Sequence, residues 1–354
     1  MAGRACIAYF DGWVHPIAGE MLQHSARIET VRIDLGESSE AITAIIARVH
    51  GMQALFRTAA TRSGTGERWL ANSNLIAQCD SLLAVCSAGA GYDVIDVDAC
   101  TARGIIVCNQ SGAGREAVAE HVLGFMLALS KKISLADRVI RRSDGWDRAA
   151  FTGNDLLGKT LGIVGFGQIG MRLAELCAPF KLTILAYDPY LSAAECRVRG
   201  GEKVELETLL ARSDFVSLNG PLTRTTAGMF GAAEFAAMKP GAFFITTARG
   251  GMHDEAALAG ALASGHLGGA GIDVFADEPP RSSHPLLAFD NVVATPHSAG
   301  ITAETTRDIA ISTAEQWETI FAGRVPPRLI NPAAWPAYST RFERTFGFAP
   351  QPIH

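Results

Sequence analysis

The sequence predicts an α/β protein built on two doubly wound parallel sheets, and two observations carry that expectation. Short apolar, strand-like runs alternate with helical stretches through both halves of the chain, which is the pattern of mainly parallel sheets. In the middle, Lys159–Asp188 (KTLGIVGFGQIGMRLAELCAPFKLTILAYD) reads as strand, glycine turn, helix, strand and acid in succession.

At 354 residues the chain is long enough for two domains. Residues 1–114 read as the first. Strand-like runs are expected at Ala5–Phe10, Thr30–Ile33, Ala54–Phe56, Leu82–Val85 and Ile105–Cys108, with helices at Glu40–Arg48 and Glu67–Ala77. Two segments read as loops over a site. These are Arg57–Ser63 and Ser87–Asp93 (SAGAGYD), whose small residues allow several backbone N–H groups to face an anion. A long apolar-periodic helix follows from Arg115 to Lys132, then a solvated helical face at Ala136–Arg148.

The central unit opens with a strand at Thr160–Val164, a helix over Gln168–Phe180 and a second strand at Leu182–Tyr187. Gly165, Gly167 and Gly170 stand in G-x-G-x-x-G spacing. The first glycine permits a tight turn, the second a close approach of backbone to a pyrophosphate, and the third close packing of helix on strand. Free N–H groups and the dipole at the helix start favour the anion. Asp188 follows Gly170 by about 18 residues, near the ~20 expected of an acid that bonds adenosine ribose hydroxyls. A carboxylate there repels a 2′-phosphate, so NAD is expected over NADP. Further strands are expected at Phe215–Leu218, Ala242–Thr246, Ala270–Val274 and Val292–Ala294, with helices at Leu206–Arg212, Asp254–Ser264 and Ala303–Phe321. The tail is rich in proline and aromatics.

Composition narrows the function classes. The chain is 48% hydrophobic and 19% charged, which describes a globular protein with a sizeable core. A net charge of −5 supplies no basic field for nucleic acid or anionic lipid. Cys6, Cys79, Cys86, Cys100, Cys108, Cys177 and Cys196 are odd in number, contain no C-x-x-C and lie mostly in apolar runs. They read as reduced, buried thiols in a cytoplasmic setting. The N-terminal stretch lacks the apolar core of a signal peptide, and no apolar run has the length of a membrane span.

Ligands of doubly wound sheets bind beyond the carboxyl ends of the strands. Three charged or titratable residues stand just past such ends: Arg249 in TTARGG, Glu278 in DVFADEPP and His297 in ATPHSAG. Singly, each has a plain structural explanation, as a loop ion pair, a solvated acid before a proline turn and a helix cap. Together, beside a dinucleotide motif, they supply what oxidation of a 2-hydroxy acid needs. An imidazole takes the hydroxyl proton as hydride leaves the same carbon. A carboxylate beside it orients the ring and favours its charged form. A guanidinium forks onto the substrate carboxylate and polarises the reacting oxygen. No metal is required.

At these residues the sequence resembles the D-isomer specific 2-hydroxyacid dehydrogenase family, over nearly the whole chain. The matching marks are GFGQIG, YDP at Asp188, PLT at Pro221–Thr223, ARG at 248–250, DVFADEP at 273–279 and TPHSAG at 295–300. The resemblance implies a Rossmann NAD-binding domain (115–325) inserted in a flavodoxin-like substrate domain (1–114 and 326–354), and a homodimer. It implies Arg249 as substrate clamp, His297 as acid/base and Glu278 as its partner. Gly165, Gly167, Gln168, Ile169, Gly170, Asp188, Asn219, Pro221, Thr225, Ala248, Asp273, His297 and Ala299 would line the cofactor. Arg57 and the backbone of Ala88 and Gly89 would meet the substrate.

Departures are present. Ser87 stands where relatives with phosphorylated substrates often carry arginine, which weakens the expectation of 3-phosphoglycerate. Val94, Asn219, Thr246 and His253 also differ from the usual pattern, His253 taking a normally apolar position. Glu278 distinguishes the chain from formate dehydrogenases of this fold, which pair their histidine with glutamine. A competing reading is an NAD(H)-sensing, corepressor-like binding protein that keeps the fold without turnover.

Overall fold

The computed structural model describes residues 3–55 and 66–353, which divide into two compact units: residues 3–114 with 302–353, and Arg115–Ile301. The first unit holds a five-stranded, wholly parallel sheet. Its strands are β1 (Ala5–Phe10), β2 (Ile28–Ile33), β3 (Gly51–Gln53), β4 (Ala84–Cys86) and β5 (Ile106–Cys108), in the order β2-β1-β3-β4-β5. The strands are almost continuously apolar because helices cover both faces of a parallel sheet. One face packs Ile33, Ile42, Val49 and Leu75, and the other Leu22, Leu83, Trp317 and Tyr338.

The second unit holds seven parallel strands: β6 (Thr160–Val164), β7 (Thr183–Tyr187), β8 (Glu202–Lys203), β9 (Phe215–Leu218), β10 (Phe243–Thr246), β11 (Gly269–Ile272) and β12 (Val292–Ala294). Their order, β12-β11-β10-β9-β6-β7-β8, reverses direction at β6/β9, the switch point at which such sheets take ligands. Both sheets are therefore doubly wound, as the alternating pattern predicts.

Three expectations are corrected. The boundary between the units falls at Thr302, not after residue 325. The cause is the buried face of helix Ala303–Phe321, where Ala310, Ala314, Trp317 and Ile320 join the core of the first unit and Trp317 Nε1 donates to Gln53 Oε1 at 3.1 Å. The third strand lies at Gly51–Gln53, ahead of the expected Ala54–Phe56, because pairing of Ile7 with Gly51 and of Gly51 with Ala84 sets its register. A side chain at Gly51 would also collide with Trp317, a Cβ there lying 2.7 Å from the indole. The helix expected at Glu67–Ala77 is instead a 3₁₀ turn at Gly66–Trp69 and a helix at Ser73–Ala77. Asn72 starts the latter by accepting from Leu75 N.

The tail also folds. Leu329 bridges Cys108, and Asn331 accepts from Val107 N at 2.7 Å and donates to Ile105 O at 3.0 Å. Helix Trp335–Phe346 then buries Trp335, Tyr338 and Phe342 in the first unit. Among the described residues, no helix is long and apolar enough to cross a membrane.

Candidate active site

The glycine turn between β6 and helix Gln168–Cys177 is shaped as its spacing requires. Gly165 has φ +87°, and a Cβ there would lie 2.8 Å from Gly220 N. A Cβ on Gly170 would lie 2.7 Å from Gly165 O, so the helix can approach the strand only with glycine at that position. Gly167, the residue before the helix, faces open space. Among the described residues no side chain caps the helix N-terminus, so its first N–H groups are left for an outside acceptor. An open, uncapped helix start at the switch point fits a pyrophosphate.

Asp188 lies just past β7. Its Oδ2 accepts from Phe166 N and its Oδ1 from Tyr190 N, both at 3.0 Å, which ties the acid to the glycine turn. Each carboxylate oxygen retains a second acceptor site. Gln168 Oε1 accepts from Arg115 at 3.3 Å, and Ile169 is half-buried. Asn219 N donates to Val164 O at 2.8 Å, and its side-chain amide donates to Ser217. Pro221 and Thr225 are exposed on the loop beyond β9. Thr226 donates to Pro221 O at 2.6 Å, and the Thr225 and Thr223 hydroxyls lie 3.0 Å apart.

The candidate catalytic residues meet on one edge of this sheet. His297 Nδ1 lies 2.8 Å from Glu278 Oε2, and Glu278 Oε1 accepts from Phe275 N at 3.1 Å. Burial pushes the Glu278 carboxyl up in pKa. The His297 hydrogen bond and charge, the Phe275 N–H and the Arg249 guanidinium outweigh this and leave it below its ordinary value. The carboxylate is thus ionised and only accepts, so Nδ1 carries the proton toward it and Nε2 is left to exchange protons elsewhere. The His297 side chain is 35% exposed, so that exchange has access.

Arg249 approaches from the end of β10, and its Nη1 donates to Ala248 O at 2.7 Å. The next residue explains how the segment packs. A Cβ on Gly250 would fall 2.0 Å from the carbonyl carbon of Phe275, so only glycine lets this turn press against the backbone leading to Glu278.

Asp273 organises the loop that carries His297. It is almost wholly buried, and accepts from Ser298 N at 2.8 Å, Ala299 N at 3.0 Å and the Thr295 hydroxyl at 2.5 Å. Its backbone carbonyl accepts from His297 N at 2.8 Å. His297 itself has φ +54°, a left-handed conformation that costs a non-glycine residue roughly 1 kcal/mol or more. The Asp273 hydrogen bonds hold the loop around it in that conformation. His121 adds a second contact, its Nε2 lying 3.0 Å from Thr295 Oγ1. The sequence assigned Asp273 to the cofactor. The wiring of Asp273 to residues 295–299 was not visible, because buried hydrogen bonds to main-chain N–H groups leave no residue pattern.

The substrate candidates Ala88 and Gly89 belong to the other unit, on the turn after β4. Gly89 O accepts from Gln110 N at 2.9 Å, and Ser87, which is buried, donates to Gly91 O. Arg57 lies outside the described residues.

An uncapped glycine-turn helix and an arginine–glutamate–histidine set on one doubly wound sheet define a nucleotide-binding α/β protein with acid–base groups at its ligand edge. Residues 123–299 match the model of the D-isomer specific 2-hydroxyacid dehydrogenase family, NAD binding domain. The chain is 42% identical over 260 residues to D-3-phosphoglycerate dehydrogenase of Mycobacterium bovis, covering 73% of this chain and 49% of that protein. It is 41% identical over 246 residues to hydroxypyruvate reductase of Thermotoga maritima, covering 69% and 79%. The crystal structure of a glyoxylate reductase from Paecilomyes thermophila superposes with a TM-score of 0.80 at 27% identity, over 92% of this chain and 98% of that one. The chain belongs to the D-isomer specific 2-hydroxyacid dehydrogenase family. It spans about half the length of the phosphoglycerate dehydrogenases it matches.

Proposed function

We propose that the protein is an NAD-dependent oxidoreductase that transfers hydride between the nicotinamide and a small D-2-hydroxy acid or its 2-oxo acid. The observation that carries this reading is the His297–Glu278 pair, 2.8 Å apart and under the charge of Arg249, on the unit that bears the uncapped glycine turn. Backbone N–H groups at Gln168 and Ile169, with Gly165, Gly167 and Gly170 giving clearance, would hold the pyrophosphate. Asp188 would receive the ribose hydroxyls and exclude a 2′-phosphate. Asn219, Pro221, Thr225, Ala248, Asp273 and Ala299 would border the remainder of the cofactor.

The bound nicotinamide supplies the hydride acceptor and donor. The protein manages the charge and the proton. Arg249 holds the substrate carboxylate with the reacting oxygen beside it. His297 Nε2 receives the hydroxyl proton as the C2 hydrogen leaves with its electron pair, forming the C2 carbonyl, and returns it in reduction. Glu278 fixes the ring through Nδ1 and stabilises the charged imidazole. The N–H groups of Ala88 and Gly89, and Arg57, are proposed as further substrate contacts.

We further infer a homodimer in a reducing, cytoplasmic setting. Helix Ile133–Ile140 has no buried residue, and Ile133, Ile140 and Trp146 are more than half exposed, the kind of apolar surface that a second copy covers. All seven cysteines are unpaired thiols.

The test is loss of nicotinamide absorbance with NADH or NADPH and a panel of 2-oxo acids. Turnover with NADH preferred is the expected result. Tight NADH binding without turnover of any 2-oxo acid contradicts catalysis and favours a nucleotide sensor.

A further inference from the structure

A second histidine–carboxylate pair lies in the same unit as His297, and the chemistry above does not use it. Helix Glu255–Ala263 opens on Asp254, whose Oδ1 accepts from Ala256 N at 2.8 Å and from Ala257 N at 3.0 Å. That cap fixes the first turn and leaves the Glu255 side chain for other partners. Its Oε1 accepts from Ala276 N at 2.8 Å, and its Oε2 lies 3.2 Å from His284 Nε2. His284 in turn caps the 3₁₀ turn Pro285–Ala288, its Nδ1 accepting from Leu286 N at 3.3 Å. Because Nδ1 accepts, the neutral ring carries its proton on Nε2 and donates it to Glu255. The two side chains are only 18% and 19% exposed, so this is not the solvated surface pair that contributes little.

What the pair grips gives it a function. Ala276 follows Phe275, whose N–H donates to Glu278 Oε1 at 3.1 Å, and Glu278 Oε2 lies 2.8 Å from His297 Nδ1. The His284 ring also meets Phe275 edge-on, with ring centroids 5.3 Å apart. The turn that carries Glu278 is therefore held twice, at the Ala276 N–H and at the Phe275 ring. Gly250 presses on the backbone of the same two residues, a Cβ there falling 2.3 Å from Ala276 N. Loss of the Ala276 anchor lets this turn rotate, and rotation draws the Phe275 N–H away from Glu278.

We propose that Glu255 and His284 are positioning residues for the reaction: they lock the Phe275–Glu278 turn so that the Glu278 carboxylate stays on His297 Nδ1. The inference rests on the acid–base reading above and adds two residues to it, neither of which touches substrate or cofactor.

The experiment measures kcat, the NADH dissociation constant and the proton NMR spectrum of Glu255→Ala, Glu255→Gln and His284→Asn beside the native chain. The downfield Nδ1–H resonance of His297, identified by its disappearance in His297→Asn, reports the bond to Glu278. Glu255→Gln offers one oxygen where two are needed, and His284 cannot shift its proton while Leu286 N–H occupies Nδ1. His284→Asn keeps an oxygen to cap Leu286 N but loses the reach to Glu255, which separates the cap from the grip. Glu255→Ala is expected to lower kcat by about 10- to 100-fold, and the other two by about 3- to 10-fold. NADH affinity should stay within about twofold, and the His297 resonance should move upfield in the same order as kcat falls. If Glu255→Ala does not fold, the two milder variants decide. A kcat within about twofold of native in all folded variants, or a lowered kcat with the resonance unmoved, overturns the positioning role while the activity stands. If the native chain reduces no 2-oxo acid, the activity reading fails, and the resonance alone decides: displaced in the variants it upholds the grip on Glu278, and unmoved it overturns it.

Discussion

Two histidines of the same unit sit in opposite environments, one placed to exchange a proton and the other sealed in the core. His297 is partly exposed, lies 2.8 Å from a carboxylate and sits on a loop fixed by Asp273. His253 is 4% exposed, packs its ring against Phe244 and, among the described residues, has no hydrogen-bond partner on either ring nitrogen. Burial lowers the His253 pKa, and the neighbouring charges of Glu255 and Asp254 offset that only in part. An imidazole becomes chemically useful when its charged form is both partnered and reachable. His253 meets neither condition, although it stands only four residues from Arg249 in sequence.

The contrast can be broken at several points. The largest effect is expected at His297→Asn, which removes the proposed proton carrier. It should lower kcat by about 10²- to 10⁴-fold with NADH affinity nearly unchanged, read from steady-state rates and a fluorescence titration. Glu278→Gln keeps an acceptor for Nδ1 but removes the charge. A loss of about 10- to 100-fold in kcat with little change in KM is expected, and an unaltered kcat would leave the carboxylate a purely structural role. Asp273→Ala strips the acceptors from Ser298 N, Ala299 N and the Thr295 hydroxyl. Urea unfolding should show a loss of about 3 kcal/mol, accompanied by a lower kcat, because His297 then lacks its support.

The smallest effect concerns His253, and its sign is opposite. His253→Leu replaces a buried, unpartnered imidazole with an apolar group and should raise stability by about 1 kcal/mol near neutrality. The folded state resists protonation of His253, whereas the unfolded chain takes up the proton near the free value of 6.5. The stability of the native protein therefore falls as pH drops below about 6.5, and the gain from His253→Leu should grow in that range. Thermal unfolding at neutral and mildly acidic pH checks this, and a gain independent of pH would contradict it.

Much of the fold was legible because local signals agreed with the tertiary arrangement. Thr160–Val164, Phe215–Leu218 and Val292–Ala294 are short apolar runs bounded by turn residues, and each forms a strand with the expected limits. Legibility failed where a distant contact decides. The third strand is placed by its neighbours and by Trp317, more than two hundred residues away. The tail concealed a helix behind Pro336, although Pro is tolerated in a first helical turn, and Trp335, Tyr338 and Phe342 already carried helical spacing. In the site, residue types at strand ends were enough to select Arg249, Glu278 and His297. They could not reveal that Asp273 braces the loop, that Gly250 permits its close packing, or that His253 has no partner, since these are facts of burial and distance.

The most direct measurement is a single turnover: protein loaded with NADH is mixed with saturating 2-oxo acid, and the nicotinamide absorbance is followed for the native chain and His297→Asn side by side. This isolates the chemical step from binding and product release. The account predicts rapid decay in the native chain and decay at least about a hundredfold slower in the variant, from the same starting amplitude. Equal rates would contradict it, because the proton would then be passing through some group other than His297.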